Sequence, residues 1–375
     1  MKNFVKNFEK KTAIVLFNLG GPDKISAVKP FLFNLFNDNA IINLPQPLRF
    51  LLAKFISAKR SKKTQKIYEQ IGGKSPLLEI TLSQAHSLEY ELSFFGNFKV
   101  FVAMRYWHPL ACEVAKEVEK YQPDQVILLP LYPQFSSATS ASSIKNFLQN
   151  FSAKIPIKTI CCYHEEPDFI KSHTFLIRQK IAEFYDGNFD KLRFLFSAHG
   201  LPQKLINKGD PYVFQINQTA AAIVKNLGDV AHVANQLSEK SESFICNNSS
   251  SLKMVRNGDL RQSHIDFRIC YQSKVGPLQW TQPSLEHELG KAILDKKIPV
   301  IIPISFVSEH CETLFELDVK YKNLAYQLGT KNYLRVPALN IEGHFIKALA
   351  KMVRNADDLQ TKICPKNFKL CFKND

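Results

Sequence analysis

The densest run of chemically capable residues lies near the carboxyl end, where Ser308, Glu309, His310, Cys311 and Glu312 follow the apolar stretch Val300 to Phe306 and Glu316 stands one turn further. If Ser308 caps a helix there, Glu309, Glu312 and Glu316 fall at spacings of three and four, so their carboxylates line one face with His310 beside them. Such a stripe can hold or pass a divalent cation and accept protons. Acidic residues in a first helical turn are also favoured by the helix dipole alone, so the spacing leaves both roles open. A second segment, Leu192 to Pro202, reads as a strand buried on both faces and halted by glycine and proline. That puts His199 at the strand's carboxyl end, the edge of a parallel sheet where ligands sit.

The elements that must carry these residues alternate along the chain. Candidate strands are Ala13 to Leu19, Lys99 to Met104, Gln125 to Leu131, Ile157 to Tyr163, Leu192 to Ala198, Asp266 to Tyr271 and Val300 to Phe306, with Tyr333 to Val336 a weaker eighth. Stretches long enough for crossover helices separate most of them, which is the pattern of an α/β protein with parallel, doubly wound sheets. The strands fall into two sets. The expected division is an amino-terminal lobe over 12–155, a carboxyl-terminal lobe over 156–336, and a final helix (around Gly343 to Asn355) and tail over 337–375. Residues 229–265 break the rhythm with Ser, Asn, Lys and Glu and read as an insertion.

With 375 residues and 45% hydrophobic content the chain can bury a substantial core. No apolar run approaches the roughly 20 residues of a membrane span, and the start of the sequence lacks the pattern of a signal peptide. Eight scattered cysteines without a Cys-x-x-Cys pair suggest reduced thiols in a cytoplasmic setting. Cys364 and Cys371 are the one pair that hints at a metal or cluster, and two ligands are too few for either. The net charge of +15 favours anionic partners. Part of it is local: Lys54, Lys59, Arg60, Lys62, Lys63 and Lys66 follow an apolar stretch carrying Phe50 and Phe55. Without a nucleic-acid module signature, that cluster reads as a basic lip at a membrane interface, a clamp for an acidic planar ligand, or a solvated helix face. Two phosphate-loop lookalikes fail. Gly72-Gly73-Lys74-Ser75 lacks the earlier glycine, and Asn18-Leu19-Gly20-Gly21-Pro22 lacks the dinucleotide spacing, so its glycines are read as letting backbone approach a flat ligand.

Taken together, the sequence resembles the ferrochelatases, enzymes that insert ferrous iron into protoporphyrin IX at the end of haem synthesis. The likeness runs from about Ala13 to Leu349. It rests on ordered motifs: 18–22, 71–77, Met-Arg-Tyr-Trp-His-Pro at 104–109, Leu-Pro-Leu-Tyr-Pro-Gln-Phe-Ser at 129–136, Phe-Ser-Ala-His-Gly-Leu-Pro at 196–202, 209–212, Tyr-Gln-Ser-Lys-Val-Gly-Pro at 271–277 and 308–318. The resemblance implies two Rossmann-like lobes with four-stranded parallel sheets flanked by helices, and a porphyrin cleft between them. It implies that His199 and Glu312 are catalytic and meet the metal, with Glu309, His310 and Glu316 as an auxiliary acidic path. Leu19, Tyr68, Arg105, Tyr106, Tyr271 and Trp280 would line the porphyrin pocket; Arg60, Lys63, Ser75 and Ser273 would hold its propionates. Imidazole titrates near pH ~6.5 and is expected to be neutral and receptive to pyrrole protons. Fe2+ enters as substrate, and no cofactor is required. Some members carry a [2Fe-2S] cluster on four cysteines, one in the segment where this chain has Ser136 and Ser137; Cys364 and Cys371 leave room for a cluster without predicting one. Expected partners are protoporphyrin IX and ferrous iron, with room for peripheral contact at the inner membrane face and no nucleic acid. Alternatives are a coproporphyrin or cobalt chelatase, or a non-catalytic tetrapyrrole carrier.

Overall fold

The computed structural model describes residues 10–184, 191–237, 265–276, 278–357 and 364–372. Eight strands form two separate four-stranded sheets: β1 Lys11–Asn18, β2 Asn97–Met104, β3 Gln125–Pro130 and β4 Ile157–Thr159 in the first, β5 Leu192–His199, β6 Phe267–Gln272, β7 Ile298–Pro303 and β8 Leu334–Arg335 in the second. Every pairing is parallel, and the spatial orders are β2-β1-β3-β4 and β6-β5-β7-β8. The two lobes therefore repeat one topology. In each, the chain leaves the first strand to one side and returns on the other, which opens a crevice at the carboxyl ends of the two central strands.

The division expected near residue 155 falls one strand early. Ile157–Thr159 pairs with β3 through Val126, Ile127 and Leu128 and so closes the first sheet. The tail is not separate either, since the helix Gly343–Arg354 packs on Pro167–Ala182 and on Leu77–Ser93, the latter from the first lobe. Its Phe345, Ala348, Leu349, Met352 and Val353 are buried, so an apolar stripe on one helical face joins the halves. The expected insertion begins inside a helix, Tyr212–Leu237; its remainder, 238–264, lies outside the described residues.

Both sheets are covered on both faces, which is why their strands read as continuous apolar runs. Alternation still sorts the side chains. Ile14 and Leu16 of β1 join Phe194, Phe196, Val300 and Ile302 in a core shared by the lobes, while Ala13, Val15 and Phe17 pack outward against Ala111–Tyr121 and Ser140–Leu148. Buried polar ties lock the lobes together. Gln84 donates to the carbonyls of Val307 and Asn340 at 3.2 and 2.8 Å, and Gln134 donates to that of Ile304 at 3.1 Å. Buried amides paired across an interface in this way fix its registry.

Candidate active site at the edge of the second sheet

His199 is the last residue of β5, and its main chain is held on both sides. The N–H donates to Ser305 Oγ at 3.1 Å, and Tyr212 Oη donates to the His199 carbonyl at 3.1 Å. Gly200 follows in a tight place: a Cβ there would stand 3.1 Å from the Gln272 carbonyl and 3.2 Å from the Trp280 ring, so either neighbour would have to give way. The Nδ1–H donates to the Gly200 carbonyl at 2.5 Å, so that nitrogen carries a proton and Nε2 is turned toward the carboxylate of Glu312, 3.6 Å away. His310 is arranged the same way. Its Nδ1 donates to the Ser308 carbonyl at 3.2 Å and its Nε2 lies 3.6 Å from the same Glu312 oxygen.

Two imidazole nitrogens thus converge on one carboxylate oxygen, and a proton must stand between them to avoid opposing lone pairs. Burial presses the His199 ring toward the neutral form, but the field and hydrogen bond of Glu312 outweigh it and raise its pKa to about 9. The reference value near ~6.5 is therefore not the operative one in the free protein. His199 is cationic at neutral pH, contrary to expectation, because a carboxylate sits at contact distance. Burial likewise penalises the Glu312 anion, yet His199 and then His310 hold that carboxyl well below the usual range. Glu316 moves the other way: burial, then the Glu312 charge, push it up, even though Ser273 Oγ donates to it at 3.0 Å. Neighbouring carboxyls whose affinities for a proton are driven apart are suited to passing one.

The helix carrying these carboxylates is not the one the spacing predicts. Ser308 caps nothing; its hydroxyl donates to Gln84 Oε1 at 3.0 Å. Residues 304–310 run irregularly after β7, and the helix over Glu312–Tyr321 has the rare i→i+5 pattern often found at functional sites. Glu309 lies before that helix and points elsewhere. Its carboxylate takes a two-pronged bond from Arg335 at 2.5 and 2.8 Å and another from the Ala338 N–H at 2.8 Å. The expected stripe of three carboxylates is thus a pair, Glu312 and Glu316, flanked by His199 and His310, while Glu309 anchors the loop to β8.

Of the expected lining residues, Leu19, Tyr68 and Tyr106 meet in one apolar cluster of the first lobe, against which Cys311, next to Glu312, also packs. Arg105 and Tyr106 share a partner, donating to Asp38 Oδ2 at 2.8 and 2.7 Å. In the second lobe Trp280 lies 6.3 Å from the His199 ring, and Tyr271 is buried one residue before Gln272. The expected propionate contacts split. Arg60 and Lys63 are exposed on the helix Gln46–Glu69, Arg60 over the Phe36 ring at 5.5 Å. Ser75 and Ser273 are buried, and their hydroxyls face inward, Ser75 against Gly21 and Ser273 onto Glu316. A Cβ on Gly21 would come within 2.5 Å of Ser75 Oγ, so this glycine serves an internal approach rather than a ligand's.

Sequence reasoning missed Tyr212, Ser305 and Gln272, which hold the catalytic candidates from behind. Gln272 lies inside the Tyr-Gln-Ser-Lys motif, and that was the available signal. It also missed a thiol row. Cys162 is hydrogen-bonded to Cys161 and Cys364, and Cys364 to Cys371, while Gln215 Nε2 donates to Cys162 and Cys364 at 3.4 and 3.0 Å. Two thiols became four because the segment 364–372 folds back, with Leu370 N–H on the Gly209 carbonyl at 3.2 Å. Ser136 and Ser137 instead donate to Asp210 Oδ2 at 3.0 and 2.8 Å. No group of three or more donors among the described residues surrounds a single metal ion's position.

Comparison with known proteins finds relatives over nearly the whole chain. The family model described as Ferrochelatase matches residues 11–357. A ferrochelatase of Rickettsia conorii is 47% identical, covering 97% of this chain and 98% of its own. One of Wolbachia from Drosophila simulans is 47% identical over 92% of this chain and 99% of its own. Among solved structures, SirB from Bacillus subtilis with Fe3+ is similar with a TM-score of 0.50 at 10% identity, covering 92% of this chain and 95% of that one, a likeness of fold alone.

Proposed function

We propose that this chain, which belongs to the ferrochelatase family and is therefore a metal chelatase that inserts iron into a porphyrin, takes protoporphyrin IX as its macrocycle and uses His199 and Glu312 to exchange two pyrrole protons for Fe2+. The observation that carries the assignment is the 3.6 Å approach of His199 Nε2 to Glu312 at the carboxyl edge of the second sheet. A flat porphyrin keeps its nitrogens in plane, so the ring must buckle before a metal can enter. Apolar contact with Leu19, Tyr106 and Trp280 supports a strain of about 1–5 kcal/mol, and cationic groups at Arg60 and Lys63 stop the ring from rotating to relieve it.

His199 holds a proton in the free enzyme because of the Glu312 charge. Arrival of Fe2+ at that carboxylate cancels the field, the imidazole releases its proton, and Nε2 then accepts the two pyrrole hydrogens one after the other, passing on the first before it takes the second. Glu316, the carboxyl with raised proton affinity, takes the released protons onward. Two protons leave as one divalent ion enters, so the charge in the cleft is conserved through the exchange. The test is anaerobic incubation of purified protein with Fe2+ and protoporphyrin IX, read as loss of porphyrin fluorescence. Faster turnover in parallel tubes with coproporphyrin or Co2+ would overturn the choice of substrate.

Cys161, Cys162, Cys364 and Cys371 bring four buried thiols to one place, but among the described residues they form no metal-holding group of three or more, so no [2Fe-2S] cluster is assigned to them. For the setting, no helix among the described residues is long and apolar enough to cross a membrane. Leu48, Leu51 and Phe55 are exposed beside Lys54 and Lys59, a surface suited to peripheral membrane contact.

A further inference from the structure

We propose that Gln272 is a positioning residue for metal insertion, setting the gap between His199 and Glu312 from behind both. The inference rests on the roles given to those two residues and deepens them. Gln272 ends β6 in register with His199 on β5, and it is 2% exposed. Its main-chain carbonyl accepts the Gly200 N–H at 2.9 Å, which fixes the turn that also receives the His199 Nδ1 proton. The side chain works in the other direction. Ser197 Oγ donates to Gln272 Oε1 at 2.6 Å, so the amide has one orientation, with Nε2 facing the opening of the i→i+5 helix.

There Nε2 donates to the main-chain carbonyl of Glu312 at 2.8 Å and lies 3.4 Å from the Glu316 carboxylate. One residue therefore ties the loop behind the imidazole to the first turn behind the carboxylate. Catalytic groups need their supporting contacts, because a displacement of about 1 Å away from the chemistry can cost roughly 10²-fold in rate. Of the residues expected around the macrocycle, Nε2 nears Ser273, whose hydroxyl is 3.5 Å away, the longest of its contacts. The amide thus acts first on the backbone that carries Glu312, at 2.8 Å, and more weakly on Ser273.

The experiment compares wild type, Gln272→Met, Ser197→Ala and the double variant, measuring kcat, KM for Fe2+ and porphyrin affinity by fluorescence. Gln272→Met keeps the length of the side chain and the main-chain bond to Gly200 but loses the amide's bonds to Ser197 and Glu312; kcat should fall about tenfold to 10²-fold while porphyrin affinity stays within about twofold. Ser197→Ala releases the amide orientation and should lower kcat several-fold. Because Ser197 acts through Gln272, the double variant should be no slower than Gln272→Met, whereas two independent packing defects would multiply. Turnover of Gln272→Met within twofold of wild type, a parallel loss of kcat and porphyrin affinity, or multiplying defects would overturn the inference. If Gln272→Met does not fold, unchanged kcat in Ser197→Ala overturns it alone. A wild-type protein that inserts no iron would instead sink the functional reading.

Discussion

The two lobes share a strand order yet use the same edge differently. At the end of β1, Asn18 is buried and spends its amide locally, donating to Thr81 Oγ1 at 3.0 Å and accepting the Leu19 N–H at 2.8 Å. At the equivalent end of β5, His199 satisfies one ring nitrogen on the main chain and leaves the other facing Glu312. The exits from β3 and β7 diverge likewise. Past β3, the chain continues to Ser136 and Ser137, which close on Asp210; past β7, it delivers His310 and Glu312. A topology supplies a position, and the residues placed there decide whether it does chemistry. The first lobe offers an apolar wall and a basic lip. The second carries the histidines and carboxylates to which we assign the proton and metal steps.

That contrast can be broken most severely at His199. His199→Ala should cut iron insertion by about 10²- to 10⁴-fold while porphyrin still quenches or shifts on binding; comparable turnover would remove the imidazole from the mechanism. Next in size, Glu312→Gln should abolish most insertion and release the His199 proton. The imidazole pKa, raised to about 9 with Glu312 ionised, should then move down toward ~6.5, since burial is opposed only by the bond to the Gly200 carbonyl and the Glu316 charge. An unmoved midpoint in NMR would show that the two side chains are not coupled.

Stability separates Glu309 from its neighbours. Arg335→Met leaves the Glu309 carboxylate buried without its guanidinium and should cost about 3–5 kcal/mol in unfolding, while folded protein keeps its turnover. The smallest effect concerns two buried histidines remote from the pair. Burial lowers the pKa of His164 to about 4 and of His173 to about 3. Below the unfolded value near ~6.5 the unfolded chain therefore binds protons that the native state refuses. Stability is full above that pH and falls as pH drops, by roughly 1.4 kcal/mol per unit per histidine until the folded values are reached. His173→Phe should flatten the slope of Tm against pH below ~6.5.

Much of this was legible in advance because burial on both faces forces strands to be apolar end to end, so eight runs and the helical spacing between them revealed two parallel sheets. Strand-end position put His199 at a ligand edge without any contact being known. The Glu309 error has the opposite origin. Side-chain phase can be inferred only if the helix start is known, and the start depends on where Ser308 and residues 304–310 are held by Gln84 and Asn340 from other elements.

By itself, the sequence determined the fold class, the strand-end histidine and the clustering of carboxylates, since each follows from local periodicity and from glycine and proline stops. Only the tertiary structure decided that Glu312 faces His199 while Glu309 faces Arg335, that Gln272 is bonded to the main chain at both Gly200 and Glu312, and that Cys161 and Cys162 meet Cys364 and Cys371. Proton affinity and thiol contact depend on distances of a few ångströms between residues far apart in the chain, and no local pattern encodes those.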